Sequence, residues 1–171
     1  MVDATNKRNK RGGKGCDAYA DFRELLARKD IDAVEVCTPD HWHGYQVVAA
    51  ARAGKDIYCQ KPLALTISDG RIMSDVVKAT KRVFQCGSQQ RSDKRFRLAC
   101  ELARNGRIGK LQRVKVGLPA GRPDYGKTGN RKKPEKVPAG FDYDMWLGPA
   151  PVAPYAPARC HVNFRWIYDY S

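Results

Sequence analysis

No apolar run in the 171-residue chain approaches the roughly 20 residues that a membrane-spanning helix needs, and none has the look of a signal-peptide core. There is no C-x-x-C pair among the six cysteines (Cys16, Cys37, Cys59, Cys86, Cys100, Cys160) and no dense cysteine pattern of a small secreted domain. The usual zinc and dithiol spacings are therefore absent, and reduced thiols in a reducing compartment are expected. Acidic residues are scarce, 18 against 32 Lys and Arg, for a net charge of +14. That excess raises a polyanion as a partner. It is gathered in two clusters, Lys7, Arg8, Lys10, Arg11 and Lys14, then Lys127, Arg131, Lys132, Lys133 and Lys136, with no RNA- or DNA-binding motif beside them, so they read as solvated segments. Finally, no G-x-G-x-x-G precedes Asp21. The Gly12-Gly13-Lys14-Gly15 cluster has no apolar strand before it and reads as the end of a helix and its turn, not a phosphate loop.

What is present is a succession of short strands and amphipathic helices. Ala33 to Cys37 (A-V-E-V-C) is a strand ending in Thr38-Pro39-Asp40-His41-Trp42-His43. Val47, Val48 and Ala51 follow at helical spacing, and Gly54 closes that helix. Asp56 to Gln60 (D-I-Y-C-Q) is a second strand, too short for a helix and stopped by Pro62, with Lys61 between. The next helix runs from about Ile67 to Lys81, with Ile72, Met73, Val76 and Val77 on one face and Thr66 with Asp69 as a capping box. A third strand, Val83 to Cys86, ends in Gly87-Ser88-Gln89-Gln90-Arg91, and Lys94 to Asn105 is a helix burying Phe96, Ala99, Cys100 and Ala103. Crossovers of this length make the strands parallel, so all three carboxyl ends emerge on one edge of the sheet, where open α/β sheets bind ligands. Cys37, Cys59 and Cys86 fall on strands expected to be buried, where a thiol acts as a small hydrophobe.

His41, His43 and Cys37 could suggest a metal, but a proline turn intervenes and no distant Cys or His pair completes four ligands, so no metal site is expected. His41 reads as a solvent-facing turn residue and His43 as the opening of the next helix. Farther on, Leu111 to Leu118 alternates, Val114, Val116 and Leu118 on one face, as a half-buried strand should. A basic, Pro/Gly-rich connection over 119–140 follows, then F-D-Y-D-M-W-L-G-P and an aromatic tail, N-F-R-W-I-Y-D-Y.

T-P-D-H-W-H, the helix ending in A-R-A-G-K, Y-C-Q-K-P-L, F-Q-C-G-S-Q-Q-R and N-G-R-I-G-K-L, taken in succession, resemble the glucose-fructose oxidoreductase / inositol dehydrogenase (Gfo/Idh/MocA) family from about Asp3 to Ser171. The resemblance implies an α/β chain in two parts. Residues 1–108 would be a partial NAD(P)-binding Rossmann domain with a parallel sheet, lacking the first strand and the Gly-rich loop. Residues 109–171 would begin a C-terminal α/β domain with a mostly antiparallel sheet, used for substrate binding and oligomerisation. Met1 stands where the family carries the acid that holds the adenosine ribose, which leaves Asp3 as a weak candidate for that role. The family's Asp/His-containing acid-base helix is expected beyond Ser171.

By the same resemblance, the function is transfer of a hydride between NAD or NADP and a sugar, inositol or related polyol. Lys61 is the candidate catalytic residue, contacting the reacting oxygen and the nicotinamide ribose. Gln60 stands where the family usually has Glu, which removes an anion that would favour the charged lysine. Cofactor-binding positions are Thr38, Pro39, His43, Gln60, Lys61, Pro62, Gln89, Arg165 and Trp166, with Gln90 as a further hydrogen-bonding amide. The partner is then a small-molecule substrate, with no specific nucleic acid and no membrane span. Full-length relatives are expected to be homo-oligomers. The default location is the cytoplasm, with export left open because an upstream signal, twin-arginine in some relatives, would precede the expected start. The alternative reading is a catalytically inactive basic α/β module that binds nucleic acid or a protein partner.

Overall fold

Three parallel strands form the centre of the molecule, and their order in space is their order in the chain. The computed structural model describes residues 15–118, 121, 123–124 and 126–171. Asp3, the first basic cluster and all of the glycine cluster but Gly15 lie outside the described residues. A short helix α1 (Phe22–Ala27) is started by the Asp21 carboxylate, which accepts from the Arg23 amide. Strand β1 (Ala33–Val36), helix α2 (Asp40–Arg52), strand β2 (Asp56–Gln60), helix α3 (Ile67–Thr80) and strand β3 (Phe84–Gly87) follow. In register, Val34 sits beside Ile57 and Ile57 beside Phe84, while Val36, Cys59 and Cys86 align in the next rows.

Helices α2 and α3 cover one face of this sheet. Val36, Val47, Ala50, Ala51, Ile57, Cys59 and Met73 form the aliphatic core between them. The alternation within β2 decides which side chains enter: Ile57 and Cys59 are buried, Asp56, Tyr58 and Gln60 less so. The ends of α2 and α3 are fixed locally. Gly54, at φ +77°, donates to Ala51, and Lys55 donates to Ala50, a Schellman ending that needs the left-handed glycine. At the start of α3 the Thr66 hydroxyl accepts from the Asp69 amide at 3.0 Å, as the capping pattern requires.

Three expectations from sequence are corrected. Helix α4 (Lys94–Arg104) forms, capped by Asp93, but it buries none of its residues, and Phe96, Ala99, Cys100 and Ala103 are all exposed. Periodicity and a cap are local properties, whereas burial needs a neighbour, and no described element lies along its apolar stripe. Residues 111–118 are not a strand: Val114, Val116 and Leu118 are exposed, and among the described residues no ladder partner pairs with them. Cys37 lies past the end of β1 and is exposed, its thiol directed to Glu35, so of the three strand cysteines only Cys59 is fully buried.

A second cluster is aromatic. Helix α5 (Tyr143–Leu147), capped by Asp142, and a single 3-10 turn at Asn163–Trp166 are its regular elements. Tyr143, Leu147, Tyr155, Cys160, Phe164 and Tyr170 pack together there. Their rings meet mostly edge to face, Trp146 and Tyr170 at 4.8 Å and Tyr143 and Tyr155 at 5.4 Å. The Tyr143 hydroxyl donates to the Ala153 carbonyl at 2.9 Å, so the buried phenol is satisfied.

Candidate functional site

Two lysines flank β2, and the fold treats them oppositely. Lys55, at the amino end, is buried, and its ammonium donates to the carbonyls of Arg28 at 2.6 Å and Ile31 at 2.8 Å. It joins the α1–β1 connection to the sheet and has a structural task. Lys61, at the carboxyl end, is exposed and follows the last strand residue directly, with a cis peptide to Pro62. Its side chain therefore leaves from the edge on which all three strand ends emerge.

That edge is cross-linked on both sides of Lys61. On one side the Gln60 carboxamide oxygen accepts from the Lys61 amide and from the Gln89 carboxamide, both at 2.9 Å. This ties the end of β2 to the turn after β3. The close approach requires Gly87, because a Cβ there would sit 2.9 Å from the Gln60 oxygen and 3.0 Å from the Tyr58 hydroxyl. On the other side His43, buried in the first turn of α2, faces two carbonyls: Nδ1 is 2.7 Å from the oxygen of Pro62 and Nε2 is 2.9 Å from that of Thr38. Either ring nitrogen, when it carries the proton, donates to one of the two loops. Thr38 in turn donates from its hydroxyl to Gln46 at 2.8 Å, and Pro39 holds the extended position before α2. Thr38, His43, Gln60, Lys61, Pro62 and Gln89 thus form one continuous cluster.

Arg165 and Trp166 belong to the aromatic region. The Arg165 guanidinium lies 4.5 Å from the Phe164 ring centre and donates to the Val162 carbonyl, while the Trp166 indole donates to Pro123. Their described contacts run within residues 123–166 and not to the strand-end cluster. Gln90 lies in the 3-10 turn Gln89–Ser92 and is exposed.

His41 overturns its reading as a solvent-facing turn residue. It is 6% exposed, stands in α2, and places Nε2 3.0 Å from the Trp146 carbonyl while its amide donates to Tyr170. The neighbouring Trp42 indole donates to the same Trp146 oxygen at 3.2 Å. Its ring lies so close on Gly148 that a Cβ there would come within 2.1 Å of it. Together with Ser171, whose hydroxyl donates to Asp40, these contacts seat the aromatic region on the first turn of α2. Sequence reasoning missed this joint and the task of Lys55. A glycine ending an apolar strand is a signal that could have found the Gly87 contact; nothing local marks Gly148 as the floor under Trp42.

Electrostatically the sheet core is inert: burial pushes the Cys59 thiol up to about 12, so it stays protonated and unreactive near neutrality. Among the described residues no group of three His, Cys, Asp or Glu side chains is placed to hold a metal ion, and no helix is long and apolar enough to cross a membrane. An exposed lysine on a braced turn, on the same sheet edge as the Gln89 carboxamide and Thr38, can stabilise negative charge developing on a ligand oxygen.

Comparison with known proteins follows the same division of the chain. Residues 2–88 match the model of an oxidoreductase family with an NAD-binding Rossmann fold, and residues 102–171 that of an oxidoreductase-family C-terminal alpha/beta domain. Myo-inositol 2-dehydrogenase of Thermotoga maritima is 37% identical over 99 residues, covering 58% of this chain and 30% of that protein. Inositol 2-dehydrogenase of Rhizobium meliloti is 35% identical over 105 residues, 61% of this chain and 32% of its own length. Among solved structures, myo-inositol 2-dehydrogenase from Lactobacillus plantarum superposes with a TM-score of 0.52 at 31% identity, covering 54% of this chain and 28% of that one. The chain spans about a third of the length of the curated relatives it matches.

Proposed function

The chain belongs to the Gfo/Idh/MocA oxidoreductase family, and from that premise we propose that it is part of an NAD(P)-dependent oxidoreductase acting on the CH–OH group of a sugar, inositol or related polyol. The observation that carries this reading is the braced, exposed Lys61 at the carboxyl edge of three parallel strands. Nicotinamide, when bound, supplies the hydride acceptor or donor. The residues present fit such a group: the Lys61 ammonium and Gln89 carboxamide can donate to ribose and substrate oxygens, and Thr38, Pro39, His43, Gln60 and Pro62 shape the wall beside it. Lys61 stabilises negative charge on the substrate oxygen. The inositol dehydrogenases among the relatives support the substrate class. For Arg165 and Trp166 the cofactor-binding role rests on the family resemblance alone, since their described contacts run to Val162, Phe164 and Pro123.

The proposal divides the chain at residues 1–108 and 109–171, places the protein in the cytoplasm and makes the working enzyme a homo-oligomer. The rival reading, a basic nucleic-acid or protein-binding module, is not favoured by the family match.

The test is thermal unfolding with and without saturating NAD(H) and NADP(H). A ligand at about 100 times its Kd, binding only the folded state, adds about 2.7 kcal/mol, enough to raise the midpoint by several degrees. A rise with one cofactor that shrinks in Lys61→Ala is expected. A clear unfolding transition unmoved by either cofactor overturns the reading.

A further inference from the structure

A well-formed cleft lies away from Lys61, and none of the strand-end cluster lines it. It has a volume of about 630 Å3 and lies along the groove between α2 and α3, closed on its third side by residues 149–151 and 168–169 of the aromatic region. The helices come together at Gly44, where a Cβ would stand 3.1 Å from that of Asp69. Six side chains give the cleft its chemistry: His41, Tyr45 and Arg52 from α2, Asp69 from α3, and Tyr168 and Asp169 from the aromatic region.

Those groups present a mixed set of hydrogen-bonding partners. Asp69 and Asp169 offer carboxylate acceptors and Arg52 a guanidinium donor. His41 adds a third kind of acceptor. Its Nε2 faces the Trp146 carbonyl, which can only accept, so Nε2 carries the proton and Nδ1 in the neutral ring is an acceptor. That Nδ1 is buried and has no hydrogen-bond partner, on a side chain 6% exposed that lines the cleft. An unpaired buried acceptor carries a cost of about 1–3 kcal/mol unless something donates to it. Two aromatic rings, Tyr45 and the 95% exposed Tyr168, flank the opening. A solvent-facing tyrosine with no packing task is unusual beside a region where the other rings are buried against one another.

A ligand that satisfies acceptors and a donor at once, and that also has an apolar C–H face for a ring, is a neutral polyhydroxylated ring. Each of its hydroxyls can both donate and accept. A simple cation would leave Arg52 opposed, and a simple anion would meet two carboxylates. We propose that this cleft is a second, non-catalytic binding site for a neutral sugar ring, placed across the seam between the sheet region and the aromatic region and separate from the Lys61 cluster. Because its two walls belong to the two regions, an occupant holds them together and stabilises the joint at His41 and Trp42.

The experiment is a titration of the 171-residue chain with D-glucose, followed by amide chemical shifts, with tetramethylammonium and inorganic phosphate as the cationic and anionic comparisons. Saturable shifts are expected at Tyr45, Asp69 and Tyr168. Tyr168→Ala, which removes an exposed ring and leaves the unfolding midpoint unchanged, is expected to weaken glucose binding at least 5-fold, as is Asp169→Asn. Lys61→Ala leaves it unchanged, so failure of the oxidoreductase reading does not remove this result. The proposal is overturned if glucose gives no saturable shift, if its shifts centre on Gln60 to Pro62 and vanish in Lys61→Ala, or if tetramethylammonium or phosphate binds the cleft in preference to glucose.

Discussion

The sheet region and the aromatic region solve the problem of a small core in different ways. The first buries aliphatic side chains between regular elements, with backbone groups paired in helices and a parallel ladder. The second, over the described residues of 123–171, shows one helix of five residues and a single 3-10 turn, and holds together through ring contacts and side-chain bonds to carbonyls. An aliphatic core needs periodic neighbours, so its elements are regular. An aromatic core carries large area per residue and directional edges, so a few rings can organise an irregular chain.

The difference can be broken from either side. The largest effect is expected from Val47→Asp, which places a carboxylate at a fully buried position between α2 and the sheet; a loss of roughly 4 kcal/mol or more should abolish the cooperative far-UV transition. Tyr170→Ala should cost about 3 kcal/mol and act on the other region, erasing the near-UV aromatic signal while amides of β2 keep their exchange protection. Equal loss in both regions for this variant would show that they unfold as one unit. Lys55→Met should cost about 2 kcal/mol by leaving two carbonyls without their charged donor, and its exchange signature should be confined to the α1–β1 connection.

The smallest effect is a pH dependence that ranks the two. Burial pushes Tyr143 up to about 12 and Cys160 to about 11 in the aromatic region, and Cys59 to about 12 in the sheet region. All three are acids raised by folding, so the folded chain retains protons that the unfolded chain releases. Their stabilisation is complete below the ordinary thiol value of 9.0 and declines as pH rises toward 11 and 12. The two thiols match each other from pH 9 to 10, and above pH 10 Tyr143 adds to Cys160, so the aromatic region should lose protection first between pH 10 and 11, measured by urea unfolding with tyrosine fluorescence.

How much was legible in the sequence divides along the same line. Strand β2 was read with its observed bounds, β1 and β3 to within a residue, and the Thr66 cap and Gly54 ending from local pattern alone. The shared placement of Thr38, Lys61 and Gln89 was also legible, because parallel strands put them on one edge by topology. What could not be read depends on partners far away in the chain. The stripe on α4 and the alternation of 111–118 are real patterns without neighbours to cover them. His41 looks polar and exposed until Trp146 and Tyr170, more than 100 positions later, arrive to bury it.

The seat of Ser171 on Asp40 joins residues 131 positions apart, whereas each strand pairs with a neighbour one crossover away. Long loops close slowly because chain entropy opposes their ends meeting before any contact rewards it. The sheet can therefore assemble while later residues are still being synthesised, and for that interval the first turn of α2 is a vacant platform. His41 and Trp42 wait there with polar groups in water, and Trp146 and Tyr170, synthesised more than 100 residues later, drive it out.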